Sequence, residues 1–86
     1  MKGIDIKLLR AFVTLAMKGS YSNAAKELFL TQPALSKQIQ TLEHLTGGVL
    51  FLRGRHGASL TVLGQQLFSK ANELLQSHIE FLNYAR

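Results

Sequence analysis

Cysteine and tryptophan are absent from this sequence of 86 residues, and proline occurs once. Without cysteine the chain can form neither a disulfide scaffold nor a thiolate metal site, and this absence fits a reducing compartment. The histidines, His44, His56 and His78, are too scattered for a metal-ligand motif, so we expect no metal and no cofactor. A chain of this length can build one modest core, and self-association is an expected source of further stability.

Long hydrophobic runs are also missing from the sequence. No uninterrupted apolar stretch approaches the ~18 residues of a membrane span. The chain begins with a segment that includes Asp5 and leads into an amphipathic pattern, which is unlike a signal peptide. We therefore expect a soluble, cytoplasmic protein with no membrane partner.

Acidic residues are scarce, and their distribution is more informative than the net charge of +5. Between residues 28 and 72 the only acid is Glu43, whereas several basic residues fall there: Lys37, Arg53, Arg55 and Lys70. A basic segment favours a nucleic-acid partner, because neutralising phosphates releases counterions. A solvated basic surface explains the charge about equally well. An enzyme is not expected, because the acids and histidines fall on predicted outer faces without a nucleophile–base pair.

The first half of the chain carries the periodicity and caps of two helices. Asp5 can cap a first helix, whose apolar residues repeat at helical spacing up to a stop at Gly19. Ser20 or Ser22 can cap a short second helix. Its inward residues are predicted to be Ala24, Ala25 and Leu28, and the alanines would let it cross another helix closely.

The stretch LTQPALSKQIQTLE predicts a third helix that starts within a few residues of the second. Thr31 is a good cap, and Pro33 is tolerated in the first turn, where its missing N–H costs nothing. An apolar side facing the core is formed by Leu35, Ile39 and Leu42. The opposite side is formed by Gln32, Pro33, Ser36, Lys37 and Gln40. The helix is expected to end at Gly47-Gly48.

A short hairpin and a long helix are predicted after the double glycine. Residues 49–53 and 58–60 read as strands, and Gly54 and Gly57 bracket a basic tip with Arg55 and His56. We expect a connection longer than the tight two-residue kind. Thr61 can cap the last helix, which is predicted over residues 62 to about 85 and would extend roughly 36 Å.

The last helix has two overlapping apolar stripes. One can cover the domain's own core, and the other, over residues 75–84, is expected to stay exposed as an interaction surface. Pairing with the same stripe of a second copy of the chain is the simplest explanation for the exposed stripe. A single over-hydrophobic helix packed on its own domain is the alternative. The candidate dimerisation residues are Leu67, Ala71, Leu74, Leu75, His78, Ile79, Phe81 and Leu82.

Taken in order, these elements predict a mainly α winged helix-turn-helix over residues 1–61, with a short two-stranded β wing, followed by a long linker or dimerisation helix over residues 62–86. The second helix of such a motif fits the major groove of DNA, and its first turns reach the base edges. Gln suits adenine, Lys suits guanine, and Ser can pair with either. Thr31 and the first-turn N–H groups suit a phosphate.

The segment FVTLAMKGSYSNAAKELFLTQPALSKQIQTLE, followed by Leu50, Phe51 and Arg53 and then by Leu60, Thr61 and Gly64, resembles the N-terminal DNA-binding region of LysR-type transcriptional regulators. The resemblance covers roughly residues 4–75 and is dense, position after position. It implies base contacts by Gln32, Pro33, Ser36 and Lys37. It also implies backbone or wing contacts by Thr31, Gln40, Arg53, Arg55 and His56.

The resemblance further implies a sequence-specific module that binds an inverted-repeat operator as a homodimer paired through the last helix. Full members of the family carry a C-terminal effector-binding domain that takes a small-molecule inducer, and no such domain is expected in this chain. A helical protein–protein interaction module that keeps the winged-helix fold without a DNA role is the alternative. The two differ in the salt dependence of duplex binding.

Some residues depart from the usual pattern of the family. Thr46 stands where leucine is usual and Gly48 where a branched apolar residue is usual, so the end of the third helix is expected to loosen. Leu45 could take over the lost core contact after a small rotation. His56 lies near a wing position often held by Arg, and Leu52 replaces a usual acid and adds an exposed apolar side chain.

Overall fold

The computed structural model describes residues 4–85, which form four helices and one two-stranded sheet. In chain order the elements are α1 (Ile6–Lys18), α2 (Tyr21–Glu27), α3 (Gln32–Thr46), β1 (Phe51–Gly54), β2 (Gly57–Leu60) and α4 (Val62–Ala85). Helices α1, α2 and α3 pack against one another, and α4 returns along α1. The predicted winged helix-turn-helix with a long last helix is confirmed.

The helix starts follow the capping residues. The carboxylate of Asp5 accepts a hydrogen bond from the Lys7 N–H at 2.9 Å, and α1 ends where Gly19 takes a left-handed conformation. Ser20, not Ser22, caps α2, because its hydroxyl oxygen accepts from the Asn23 N–H at 3.2 Å. These local side chain–backbone bonds satisfy N–H groups that would otherwise lack a partner at a helix start.

Helix α3 ends cleanly, which overturns the expectation of a loosened last turn. The Thr46 hydroxyl donates to the Leu42 carbonyl at 2.9 Å, and the N–H of the left-handed Gly47 donates to the Glu43 carbonyl at 2.9 Å. Leu45 remains 57% exposed and takes over no core contact. Threonine is accommodated at position 46 because its hydroxyl bonds back to the helix instead of entering the core.

The core is centred on Phe12 of α1. Its ring packs edge-to-face against Phe51 of β1 at 5.6 Å and against Phe68 of α4 at 6.3 Å between ring centroids. The predicted inward side of α3, formed by Leu35, Ile39 and Leu42, is buried, and so are the alanines of α2, Ala24 and Ala25. One aromatic cluster therefore joins the first helix to the wing and to the last helix.

The wing is tighter than the sequence suggested. Phe51 pairs with Leu60 and Gly54 pairs with Gly57, so the turn contains only Arg55 and His56. The expected longer connection is wrong. The predicted first strand began two residues too early, since Val49 precedes β1 and is exposed.

Helix α4 begins at a residue that serves two elements. The Thr61 hydroxyl donates to the Val49 carbonyl at 2.6 Å, and its oxygen accepts from the Gly64 N–H at 3.0 Å. Gly64 sits directly against the Leu50 carbonyl, where any Cβ atom would clash. At about 1.5 Å per residue the 24 residues of this helix span roughly 36 Å, and the molecule measures 43 × 27 × 20 Å. Nowhere in residues 4–85 is a helix both long enough and apolar enough to traverse a bilayer.

Candidate nucleic-acid interface

The outer face of α3, formed by Gln32, Pro33, Ser36, Lys37 and Gln40, lies away from the core. These side chains are exposed except for that of Ser36, which is half-buried. A helix turns by about 100° per residue, so the outer face lies opposite the side that carries Leu35, Ile39 and Leu42. The structure therefore brings the predicted base-contacting residues together on one accessible surface.

The N-terminus of α3 is shaped by Thr31. Its hydroxyl oxygen accepts from the Ala34 N–H at 3.2 Å, while the side chain remains exposed. A threonine hydroxyl carries one donor hydrogen besides its acceptor lone pairs. The capping bond uses an acceptor only, so the donor stays available at the positive end of the helix dipole, where anions are stabilised.

Arg53 joins three elements through one guanidinium group. The guanidinium carbon lies over the Tyr21 ring of α2 at 3.7 Å from the ring centroid, and Nη2 donates a hydrogen bond to the Ser36 hydroxyl of α3. Arg53 itself is on β1. The stack fixes the charge beside the outer face of α3, and the hydrogen bond leaves the Ser36 O–H free to donate elsewhere.

The other two wing residues, Arg55 and His56, occupy the exposed turn between β1 and β2. The base of this turn is anchored to the end of α1, because the Ala58 N–H donates to the Gly19 carbonyl at 2.9 Å. Gly57 has a φ of +116°, and a Cβ atom there would collide with that same carbonyl. The tip is thus held at a fixed place relative to the helices.

The positive charge of this surface is not compensated within the described residues. The one salt bridge found among residues 4–85 joins Lys18 of α1 to Glu27 of α2 at 3.5 Å and includes no residue of α3 or the wing. Glu43 accepts backbone hydrogen bonds, from the Leu50 N–H at 2.7 Å and more weakly from the Phe51 N–H at 3.4 Å. Its carboxylate therefore holds the start of the wing and does not pair with the basic side chains.

Tyr21 and Glu43 are the residues that sequence reasoning missed. Glu43 had a detectable signal, since it is the only acid in a long basic segment. Tyr21 had none, because its partner Arg53 is far along the chain and on a different element. Tyr21 stacks against the Arg53 side chain, and Glu43 accepts hydrogen bonds from the backbone at the start of the wing. Neither residue lies on the outer face of α3.

The predicted dimerisation residues separate into two groups in the structure. Ala71 and Leu75 are buried in the domain's own core, and Leu67 and Ile79 pack against it half-buried. Ala71 and Leu75 lie on the stripe that covers α1 and face the chain's own core, so their part in pairing stays a prediction. The remaining residues stay accessible to a partner: Leu74, His78, Phe81 and Leu82.

Comparison with known proteins identifies relatives of this sequence. The sequence matches the family described as bacterial regulatory helix-turn-helix protein, lysR family, over residues 6–71. An uncharacterized HTH-type transcriptional regulator, YdcI of Escherichia coli K12, is 46% identical over 74 residues, or 86% of this chain and 24% of that protein. The HTH-type transcriptional regulator AbaB of Streptomyces antibioticus is 43% identical over 77 residues, or 90% of this chain and 26% of that protein. The chain spans about a quarter of the length of these curated relatives.

Solved structures agree with the sequence comparison. CbnR, described as a LysR family transcriptional regulator, superposes with a TM-score of 0.90 and 30% identity, covering 96% of this chain and 29% of that chain. The complex of BenM_DBD with benA site 1 DNA superposes with a TM-score of 0.87 and 32% identity, covering 95% of each chain. The match in sequence, the match in fold and the exposed polar helix agree, and the chain belongs to the LysR family of bacterial helix-turn-helix regulators.

Proposed function

We propose that this DNA-binding transcription-regulator module binds an inverted-repeat operator as a homodimer, with α3 in the major groove and the wing near the minor groove. The observation that carries the proposal is the outer face of α3, a polar surface on a well-capped helix. Gln32, Lys37 and Gln40 make no side-chain hydrogen bond to any described residue. A helix of this kind fits the major groove and presents its N-terminal residues to base edges.

Each proposed base contact follows from the chemistry of the side chain. Gln32 can pair bidentately with adenine, and Lys37 can donate to O6 and N7 of guanine. Ser36 keeps its O–H for a base acceptor while Arg53 occupies its oxygen. Pro33 supplies apolar contact of the kind that a thymine methyl group accepts.

The proposed backbone contacts surround this surface. Thr31 can donate its hydroxyl hydrogen to a phosphate at the start of α3, and Gln40 can reach one further along the helix. Arg55 and His56 project from the turn of the wing, and Arg53 adds its fixed charge between wing and helix. Contacts to phosphate set affinity and register, whereas contacts to base edges set selectivity.

The proposed homodimer uses the accessible residues of α4. Leu74 and Phe81 are 57% and 71% exposed and, seven positions apart, lie on the same side of the helix. Beside Leu74 an apolar recess of about 90 Å³ opens, with Leu9, Phe12 and Leu67 in its lining. We call Leu74, His78, Phe81 and Leu82 the accessible strip of α4. A second copy of α4 is a suitable partner to bury this strip, because large exposed apolar patches mark interaction surfaces.

The solved complex of BenM_DBD with benA site 1 DNA supports the DNA role, since it shares the fold over nearly the whole of this chain. The relatives extend well beyond the matched region, so an effector-binding domain and a small-molecule inducer belong to the proposal for the full-length protein. A location in the cytoplasm follows from the proposed role, because the operator lies on the bacterial chromosome. No catalytic role is proposed.

The salt dependence of duplex binding tests the DNA role. We expect affinity for random duplex DNA to fall by orders of magnitude between low and physiological salt, with a log–log slope of several units, because Lys and Arg release counterions from phosphates. Fluorescence anisotropy with a labelled duplex measures the slope. Tight binding that does not change with salt would overturn the phosphate contacts and favour the protein-binding alternative.

Selection of bound sequences from a random duplex pool then supplies an operator for testing α3. Gln32→Ala and Lys37→Ala should each reduce discrimination between the selected and random duplexes by about 1–3 kcal/mol per lost base contact. Gln76→Ala, on the exposed surface of α4, is the control and should leave discrimination unchanged. If both α3 variants select the same sequences as the parent chain, α3 does not read the bases.

A further inference from the structure

A second concave surface lies on the flank of α3 that faces away from the wing. It is an open depression of about 280 Å³, lined by Lys7 and Arg10 of α1, by Leu28 and Leu30 beside the turn between α2 and α3, and by Gln38 of α3. We call it the flank depression. It shares no residue with the outer face of α3 or with the wing.

The position of Gln38 separates this surface from the proposed DNA-binding surface. Residues two positions apart on a helix point roughly 160° away from each other. Gln38 is two positions from both Ser36 and Gln40, so it lies on the other side of α3 from both. Ser36 faces Arg53 of the wing. DNA seated against the outer face and the wing would therefore leave the flank depression uncovered.

The flank depression combines positive charge with apolar walls. Lys7 and Arg10 are exposed, and neither side chain forms an ion pair with another described residue. The nearest acid along the chain, Asp5, has its carboxylate bonded to the Lys7 backbone N–H as the cap of α1. Leu28 and Leu30 are half-buried and contribute the apolar part of the lining. This combination is complementary to an acidic segment that also carries apolar side chains.

Phe29 lies between Leu28 and Leu30 in the sequence, next to the lining of the flank depression. Its side chain is 95% exposed, and its backbone φ is +57°, the only positive φ of a non-glycine residue among residues 4–85. A bulky residue is unfavourable in this conformation, and here no burial in the core compensates for it. Aromatic side chains, Phe among them, are enriched at protein–protein interfaces relative to the rest of the surface.

We infer that the flank depression, together with Phe29, is a docking site for an acidic, amphipathic segment of a partner protein. Lys7 and Arg10 pair with its carboxylates, and Leu28, Phe29 and Leu30 contact its apolar side chains. DNA is disfavoured as the occupant, because a duplex offers phosphates to the basic residues but has no counterpart for this aromatic and leucine surface. The site would let a DNA-bound module contact a second protein at the same time.

The test titrates the isotope-labelled chain with a short amphipathic peptide that has Glu on one face and Leu and Phe on the other, followed by NMR. We expect chemical-shift changes to centre on Lys7, Arg10, Phe29 and Gln38. A peptide with Gln in place of Glu should bind at least about tenfold more weakly. Binding of the acidic peptide should persist when a duplex occupies α3.

Substitutions test whether Lys7, Arg10 and Phe29 form the peptide-binding site. The double change Lys7→Glu and Arg10→Glu should weaken peptide binding by roughly tenfold or more, whereas Gln76→Glu, on the exposed surface of α4, should change it little. Phe29→Asn, which suits the left-handed backbone, should also weaken it while the chain stays folded. All three variants should keep the duplex selectivity of the parent chain.

Three results would overturn the inference. Shifts that map to Lys37 and Arg55, with displacement by duplex DNA, would mean that the peptide only mimics DNA. Duplex-induced shifts centred on Lys7 and Arg10 would assign the flank depression to DNA. No saturable binding up to about 1 mM peptide would mean that the surface takes no acidic segment. Each outcome is separate from the salt slope and the base selectivity that test the proposed DNA role.

Discussion

The proposed role of Arg53 in the interface depends on the shape of its side chain as well as on its charge. Its guanidinium plane stacks on Tyr21 and donates to Ser36, and a lysine ammonium cannot reproduce both contacts. We expect Arg53→Lys to keep most of the salt-dependent affinity for random duplex and to lose about 1 kcal/mol of discrimination for a selected duplex. Competition anisotropy with the two duplexes measures the difference.

Arg55→Lys is the matched control for Arg53, because Arg55 lies in the exposed turn of the wing with no side-chain partner among residues 4–85. It should retain both affinity and discrimination. If the two lysine variants behave alike, the stack on Tyr21 has no role in selectivity and Arg53 acts as a charge only.

Phe29 lies in a conformation that suits glycine or asparagine better. Its φ of +57° brings Cβ close to the following carbonyl oxygen, and its exposed ring contributes no burial to offset this cost. Phe29→Gly should stabilise the fold by about 0.5–1 kcal/mol, after the entropy that glycine adds to the unfolded chain is allowed for. Urea denaturation measures the change.

Phe29→Ala separates backbone strain from the aromatic ring, because alanine keeps the Cβ atom and loses the ring. It should leave the free energy of unfolding near that of the parent chain. Equal stabilisation by alanine and glycine would show that the ring, and not the backbone conformation, is the source of the cost.

At the scale of elements, the wing is positioned by its contact with the end of α1. Gly57 combines a positive φ with direct contact to the Gly19 carbonyl, so an added Cβ atom has no room. Gly57→Ala should destabilise the fold by roughly 2–4 kcal/mol and displace the tip of the wing. Thermal unfolding measures the first effect, and the amide shifts of Arg55 and His56 report the second.

Gly54 gives a control within the same hairpin. It pairs with Gly57 across the wing, but an added Cβ atom there would meet nothing within 4 Å. Gly54→Ala should therefore cost little. A similar loss for both variants would mean that the hairpin turn, and not the contact with α1, sets the position of the wing.

The predictability of the elements depended on whether their signals were local. Asp5, Thr31 and Gly19 mark helix ends through bonds to residues within a few positions, so capping patterns located α1 and α3 correctly. The strand register was not local. Val49 has a residue type typical of strands, although β1 begins only at Phe51. The pairing of Gly54 with Gly57 goes together with the hydrogen bond from Ala58 to Gly19, a contact between distant parts of the chain that no strand pattern encodes.

The same distinction applies to the interface. The outer face of α3 followed from helical periodicity alone, because Leu35, Ile39 and Leu42 identify the opposite side. The link between Arg53 and Tyr21 required the packed fold. Helix α4 carries two apolar stripes, and only the packing against α1 shows that the stripe with Ala71 and Leu75 is the buried one.

At the scale of the whole molecule, the accessible strip of α4 leads to a prediction about assembly. Phe81 is exposed in the single chain, so a charged residue there should not disturb folding. We expect the parent chain to sediment as a dimer at micromolar concentration and Phe81→Glu to sediment as a folded monomer, because a buried unpaired charge opposes association. Sedimentation velocity and circular dichroism together measure both properties.

The control for the dimer is Gln76→Glu, which adds the same charge on the far side of α4 from Leu74. It should remain a dimer. A parent chain that sediments only as a 9.5 kDa species, or a Phe81→Glu variant that still dimerises, would remove the accessible strip of α4 from the proposed interface.

The hydrogen bond between Arg53 and Ser36 also affects how new binding preferences can arise. Gln32 and Lys37 are proposed base contacts with no side-chain partner among the described residues, so each can be exchanged independently, by evolution or by an engineer. Exchange of Ser36 removes the acceptor that orients Arg53 and so disturbs the wing as well. We therefore expect reprogramming of this module to be modular at Gln32 and Lys37 and coupled at Ser36, where a change requires a compensating change on the wing.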